Sequence, residues 1–212
     1  MPSVHNAAPI RAVLFDVGGV LMRTADLGAH RKWEALLGVS DGQLHNFLFS
    51  SRDAERAFLG RLSEADLFRD AARRLHLSDA QRAELMMDFW AGERVDTRLL
   101  EFIRSLRPRY KTALVSNAWS DSHESFARHG ICDVMDAIII SAEVGVMKPD
   151  PRIFEIAAER LQVQTRECIF VDDKEDNLQG ARRAGMTPIQ FRNTDQCIAD
   201  IRRKLNLTGG CR

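Results

Sequence analysis

Short apolar runs that stop abruptly at a polar residue recur along the 212-residue chain. Five stand out: Ala12-Val13-Leu14-Phe15 before Asp16, Thr112-Ala113-Leu114-Val115 before Ser116, Ala137-Ile138-Ile139-Ile140 before Ser141, Cys168-Ile169-Phe170-Val171 before Asp172, and Thr187 to Phe191. A half-exposed strand would alternate apolar and polar residues, whereas runs that stay apolar fit strands covered on both faces, as in a parallel sheet. Pro188 has no N–H to offer a neighbour, which places the last strand at an edge. Between the later strands, apolar residues recur at helical spacing over Thr97 to Leu106, Asp121 to His129, Pro151 to Leu161 and Glu175 to Ala184, with Gly185 as a stop. Strand and helix alternate, so the pattern predicts an α/β fold with a parallel sheet. Asp150-Pro151 is a helix start, an N-cap side chain followed by a proline whose missing N–H costs nothing in the first turn. That helix begins just beyond Lys148.

From about Met22 to Arg94 the alternation breaks. No β-branched run occurs there, and the spacing predicts several short amphipathic helices. Ser40-Asp41-Gly42-Gln43, Ser63-Glu64-Ala65-Asp66 and Ser78-Asp79-Ala80-Gln81 each place a hydroxyl three residues before a side chain able to reach back, the signal of a helix N-terminus. A helical unit, residues 22–94, is therefore expected to interrupt an α/β core made of residues 1–21 and 95–212.

Composition narrows the classes. Hydrophobic residues are 45% and charged residues 28%, too apolar for a disordered chain. Thirty basic residues balance thirty acidic ones, so the chain lacks the general attraction to nucleic acid or anionic membrane that a basic domain carries. Only Lys32, Lys111, Lys148, Lys174 and Lys204 are lysines, which lets each be weighed singly. Cys132, Cys168, Cys197 and Cys211 show neither zinc-ligand spacing nor a disulfide framework, and reduced thiols in a cytoplasm are expected. Residues Met1 to Ile10 lack the basic start and apolar stretch of an export signal, and no run of about 18 apolar residues suggests a membrane span.

In open parallel sheets ligands bind beyond the carboxyl ends of the strands. Four such ends carry chemistry here. Asp16 is followed by Val17-Gly18-Gly19, whose glycines allow a tight turn and close backbone approach. Ser116-Asn117 ends a second strand, Lys148 precedes a helix start, and Asp172-Asp173 ends a fourth run. Two adjacent carboxylates at the buried end of a strand repel each other unless a cation or donors neutralise them, and a divalent metal answers that need.

Taken together, in this order, Val13-Leu14-Phe15-Asp16-Val17-Gly18-Gly19-Val20-Leu21, Leu114-Val115-Ser116-Asn117, Val146-Met147-Lys148-Pro149-Asp150-Pro151-Arg152-Ile153-Phe154 and Ile169-Phe170-Val171-Asp172-Asp173 through Asn177 to Gly185-Met186 resemble the haloacid dehalogenase-like superfamily of hydrolases. The resemblance implies a Rossmann-like parallel sheet of five main strands in the order 3-2-1-4-5, with a small all-helical cap inserted after the first strand. It implies Asp16 as a nucleophile forming an aspartyl-phosphate, which hydrolyses readily. Ser116 and the backbone N–H of Asn117 would hold phosphoryl oxygens, and Lys148 would neutralise developing charge and restrain Asp16. Mg²⁺ would sit on Asp16, the carbonyl of Gly18 and Asp173, with Asp172 behind it or as an alternative ligand. Asn177 would orient a metal-bound water.

Gly18 departs from the pattern, because phosphatases and mutases of this type usually carry a general acid there. A mutase is thereby disfavoured, and the motif style is closest to sugar-phosphate phosphatases with glycine at this position. The leading reading is a Mg²⁺-dependent phosphatase of a small phosphorylated metabolite. The alternatives are a metal-independent 2-haloacid dehalogenase and a catalytically weak binding or regulatory protein. Lys32, the only lysine in the insert, is expected to be solvated rather than a Schiff-base residue. His30, His45, Arg52, Arg56 and Arg61 are candidates to meet a polar substrate. Trp33, Phe47, Phe58, Phe89 and Trp90 are expected in the insert's own core, and Trp119 at a cleft wall or under the insert.

Overall fold

The first apolar run, β1 (Ala12–Phe15), is fully buried and lies at the centre of a parallel sheet in the computed structural model, which describes residues 8–207. On one side it pairs with β4 (Lys111–Ser116), and β4 with β5 (Ala137–Ile140); on the other it pairs with β6 (Cys168–Asp172), and β6 with β7 (Thr187–Gln190). The sheet order β5-β4-β1-β6-β7 is the expected 3-2-1-4-5, with the proline-bearing β7 at an edge. Register sets the site. Phe15 is level with Leu114 on β4 and Val171 on β6, so Asp16 and Asp172 leave the sheet side by side, with Ser116 at the neighbouring end.

Alternation along β1 divides the core. Val13 and Phe15 face a layer formed with α6 (Thr97–Leu106), α7 (Ser122–Arg128) and α11 (Thr194–Lys204), while Ala12 and Leu14 face α9 (Pro151–Arg160) and α10 (Glu175–Arg183). Asp150 caps α9 by accepting from Arg152 N at 3.0 Å, with Pro151 in the first turn.

The insert contains α1 (Gly28–Leu37), α2 (Gln43–Phe49), α3 (Arg52–Phe58), α4 (Glu64–Arg74) and α5 (Asp79–Ala91). Ser63 and Ser78 cap α4 and α5 as expected, the latter with a full reciprocal box. At Ser40 the reach-back from Gln43 forms, but the hydroxyl does not cap; Gly42, at φ +80°, turns the chain into α2. Ser51 caps α3, a start that the spacing did not signal. Trp33, Leu48, Leu67, Phe68, Leu85 and Phe89 form a separate apolar cluster, and Trp119 joins it from the sheet side.

Two short strands join insert and sheet. β2 (Met22–Thr24) pairs antiparallel with β3 (Glu93–Val95), so both chain crossings run through one ribbon. Arg23 on this ribbon reaches Asp96 at 2.6 Å, fixing its base to the N-cap of α6. Lys32 is exposed and bonded to Glu84 and Asp88, as its expected solvation implies.

Cys168 and Cys197 are buried free thiols, and burial pushes both up to about 12; Cys132 is also free. Cys211 and residues 1–7 lie outside the described residues. Among the described residues no helix is long and apolar enough to cross a membrane.

One close approach positions the loop that carries Lys148. A Cβ at Gly180 on α10 would stand 2.3 Å from the carbonyl oxygen of Pro149. Helix propensity alone favours alanine over glycine by about 1 kcal/mol, yet so short a contact with backbone forces the helix and loop apart. Overpacking of this kind costs about 1–3 kcal/mol. Gly180→Ala is therefore expected to lower stability in urea denaturation, and an unchanged or raised midpoint would show that the approach is not limiting.

Candidate active site

Asp16 opens a tight loop at the end of β1. Its Oδ1 accepts from Val17 N at 2.7 Å, and the Val17 carbonyl accepts from Leu21 and Met22, both at 2.9 Å. Gly19 has φ +82°, a conformation that strains any side chain, and a Cβ there would lie 2.5 Å from Asp173 Oδ2 and push that carboxylate aside. Gly18 is the opposite case: a Cβ at that position meets nothing within 4 Å.

Lys148 is the centre of the arrangement. Its ammonium is 2.8 Å from Asp16 Oδ1 and 2.7 Å from Asp172 Oδ2, and the side chain is almost wholly enclosed. Burial acts to lower its pKa, but the two carboxylates outweigh it and hold the group above the usual lysine value. The loop is gripped from β4. Asn117 Oδ1 accepts from Lys148 N at 2.8 Å, while its Nδ2 donates to the Lys148 carbonyl at 2.9 Å. The Asn117 side chain is thus committed to positioning Lys148.

Asp172 and Asp173 differ sharply. Asp172 is fully buried, and its oxygens accept from Lys148 Nζ, from Lys174 N at 2.8 Å and from Asn177 Nδ2 at 3.1 and 3.0 Å. Asn177 lines the cavity, but its amide supports Asp172. Asp173 Oδ1 is buried with no hydrogen-bond partner. Burial raises the Asp173 carboxyl, and the charge of Asp172 adds to the rise. Asp16 is pushed up to about 7, chiefly by burial and further by Asp172, against the pull of Lys148. Carboxylate oxygens of Asp16, Asp172 and Asp173 lie within 4.8 Å of one another, a spacing that oxygen ligands of a hard cation can share.

A cavity of about 510 Å³ stands over this cluster. Asp16, Gly18, Ser116, Asn117, Lys148 and Asp173 line it, whereas Asp172 lies beneath. His30 and His45 reach it from the insert, but Arg52, Arg56 and Arg61 do not; Arg56 turns to Asp53 at 3.3 Å. Phe58 and Phe89 face the cavity as well as the insert's apolar cluster, and Trp90 lines the cavity without joining that cluster, so the expectation that all three belong to the insert's own core needs correction. Trp119 packs under the insert, its ring 5.9 Å from Phe58 and nearly parallel to it. Phe49, Glu93 and Lys174 also line the cavity. Phe49 had a readable signal, four residues after His45 on one helix face, where the two rings stack at 4.6 Å. Glu93 had none, because its strand is only three residues long.

The chain is 29% identical to D-ribitol-5-phosphate phosphatase of Bacteroides thetaiotaomicron, over 93% of this chain and 98% of that one. It is 24% identical to bifunctional epoxide hydrolase 2 of Mus musculus over 91% of its own length, but spans only 38% of that larger protein. A haloacid dehalogenase family enzyme from Bacteroides thetaiotaomicron, solved with magnesium and inorganic phosphate, superposes with a TM-score of 0.73 at 18% identity, covering 86% of this chain and 94% of that one, which is a likeness of fold. The family model for haloacid dehalogenase-like hydrolases matches residues 10–185, across the insert and every strand end that meets the cavity, and the chain belongs to that family.

Proposed function

We propose that the protein is a Mg²⁺-dependent phosphatase that hydrolyses the phosphate ester of a small metabolite, with Asp16 as the attacking group. One observation carries the reading: the buried, unpartnered Oδ1 of Asp173 beside Asp16. A buried carboxylate oxygen with no donor is costly unless a cation meets it. Asp173, Asp16 and the Gly18 carbonyl are hard oxygen donors suited to Mg²⁺. Asp172 is better used elsewhere, since its oxygens already serve Lys148, Lys174 N and Asn177. A metal-independent dehalogenase would leave Asp173 without a purpose. The phosphatase relative and the magnesium- and phosphate-bound fold neighbour support the same reading.

When bound, Mg²⁺ would offset the negative charge of the carboxylates and of the phosphate. The remaining work falls to the chain. Val17 N and Lys148 Nζ both donate to Asp16 Oδ1, which orients the carboxylate and leaves Oδ2 to attack phosphorus. The phosphoryl group passes to Asp16 Oδ2 as the ester P–O bond breaks, and water then hydrolyses the acyl phosphate to regenerate the carboxylate. Ser116 and the Asn117 backbone N–H, at the end of β4, would hold phosphoryl oxygens, and Lys148 would offset their developing charge. Residues 22–94 would act as a cap roofing the strand ends of a core made of 1–21 and 95–212. Free buried thiols fit a reducing compartment such as a cytoplasm.

Asp16→Asn keeps the shape but removes the attacking oxygen anion. Turnover of p-nitrophenyl phosphate should fall by about 10³-fold or more, with an unchanged circular dichroism spectrum; substantial retained activity would remove Asp16 from this role. Chelation of divalent ions should abolish wild-type activity. Asp173→Ala should weaken Mg²⁺ binding by calorimetry more than about 10-fold while raising the melting temperature of the metal-free protein, because it deletes a buried carboxylate oxygen that has no donor.

The open space at Gly18 gives a further expectation. No side chain there can protonate the departing oxygen, so single-turnover phosphoryl transfer should slow steeply as aryl leaving groups become more basic. The Cβ of Gly18→Asp meets nothing within 4 Å, and the new carboxyl should flatten that dependence, since a positioned acid contributes about 10²–10⁴-fold. A shallow slope in the wild type would mean that another group already supplies the proton.

A further inference from the structure

The nature of the alcohol that carries the phosphate is a question that rests on the phosphatase reading, and the shape of the cavity over Asp16 bears on it directly. That cavity has two unlike walls. Its floor carries the carboxylates, Ser116 and Lys148, while the insert supplies the aromatic rings of Phe49, Phe58, Phe89 and Trp90. Phe49 lies 5.9 Å from Phe89 and 6.1 Å from both Phe58 and Trp90, so the four rings form one continuous surface. Trp90 is 38% exposed and lines this cavity on one side and a neighbouring one beside Glu64 on the other.

Charge on this roof is equally one-sided. Among the described residues, no lysine or arginine of the insert lines the cavity. Arg56 and Arg74 are both paired with Asp53, and Lys32 with Glu84 and Asp88. His45 is held below its ordinary value by burial, with Lys174 and His30 pushing the same way against Glu34. Glu93 adds a carboxylate beside the rings, where it accepts from Thr24 Oγ1. Lys174, which follows Asp173 and shares the cavity with Lys148, is exposed and lies near enough to His45 to push its value down, so it is the cavity's one cation close to the roof among the described residues. Away from Lys174, a second anionic group on a substrate would meet aromatic faces, whose quadrupole is negative, and the Glu93 carboxylate. An apolar ring in the same place would displace water from an apolar surface.

We propose that the enzyme hydrolyses monophosphate esters of alcohols with an uncharged, apolar, ring-bearing body, and that the Phe49–Phe58–Phe89–Trp90 roof together with Glu93 rejects esters carrying a second negative charge.

The test compares 2-phenylethyl phosphate, ethyl phosphate and 2-phosphoglycolate with the Mg²⁺-loaded wild type. The first two release alcohols of similar basicity, so the chemistry of departure cancels. We expect kcat/KM to favour the phenylethyl ester over the ethyl ester by about 10-fold or more, and phosphoglycolate to fall below both. Trp90→Ala, the least enclosed of the four positions, should shrink the phenylethyl advantage mainly through KM, and Glu93→Gln should raise kcat/KM for phosphoglycolate. Calorimetric binding of 2-phenylethylphosphonate against phosphonoacetate reads the same preference without turnover. Equal or reversed preference in both assays, or a Trp90→Ala variant with an unchanged ratio, overturns the proposal. Esters hydrolysed without preference leave the phosphatase reading standing and defeat this one. Phosphonates bound with the expected preference by a protein that hydrolyses no ester, p-nitrophenyl phosphate included, uphold the roof assignment and defeat the phosphatase reading.

Discussion

A single ammonium group, enclosed between two carboxylates, holds the cavity end of the sheet together. Lys148 ties the end of β1 to the end of β6 through Asp16 and Asp172, and Asn117 ties β4 to the same residue by gripping both sides of its backbone. Each member is costly alone in that environment. Removing one would leave an uncompensated buried charge, a loss of the order of 3–5 kcal/mol in comparable cases. The arrangement is also over-determined from behind. Gly180 lets α10 close on Pro149, and Arg183 donates to the Pro149 carbonyl at 3.1 Å, so the lysine loop has little freedom to withdraw.

Much of this was readable because parallel strands announce their own ends. The change from Phe15 to Asp16, from Val115 to Ser116 and from Val171 to Asp172 marks where an apolar interior stops, and fold geometry then brings those stops together. The division of labour between Asp172 and Asp173 was not readable. Successive residues at a strand end leave on opposite sides, and only the structure tells which one turns toward Lys148 and which is left with a bare oxygen. Composition treats the two as the same residue.

The insert was legible as helices and opaque as a surface. Apolar periodicity reports which residues avoid water, but it does not separate a ring buried against its own helices from one that also roofs a cavity, as Phe58 and Phe89 do. The arginines of the insert stay on helix surfaces for a local reason. Arg56 lies three residues from Asp53 and is drawn into a pair along its own helix. The ribbon of β2 and β3 left no trace, since three-residue strands such as Met22-Arg23-Thr24 and Glu93-Arg94-Val95 are too brief for alternation to register.

Trp119 gives the molecule an asymmetry of its own. The ring belongs to the loop after β4, three residues beyond Ser116, yet it sits inside the insert's apolar cluster, parallel to Phe58 and 5.3 Å from Phe49. The insert therefore completes its interior with a residue borrowed from the sheet domain. Any sliding of the helices over the strand ends must either carry this ring along, pulling on the backbone beside Asn117, or draw it out and leave a void among the aromatics. Roof and floor are in this sense one mechanical part, with an indole for its pin.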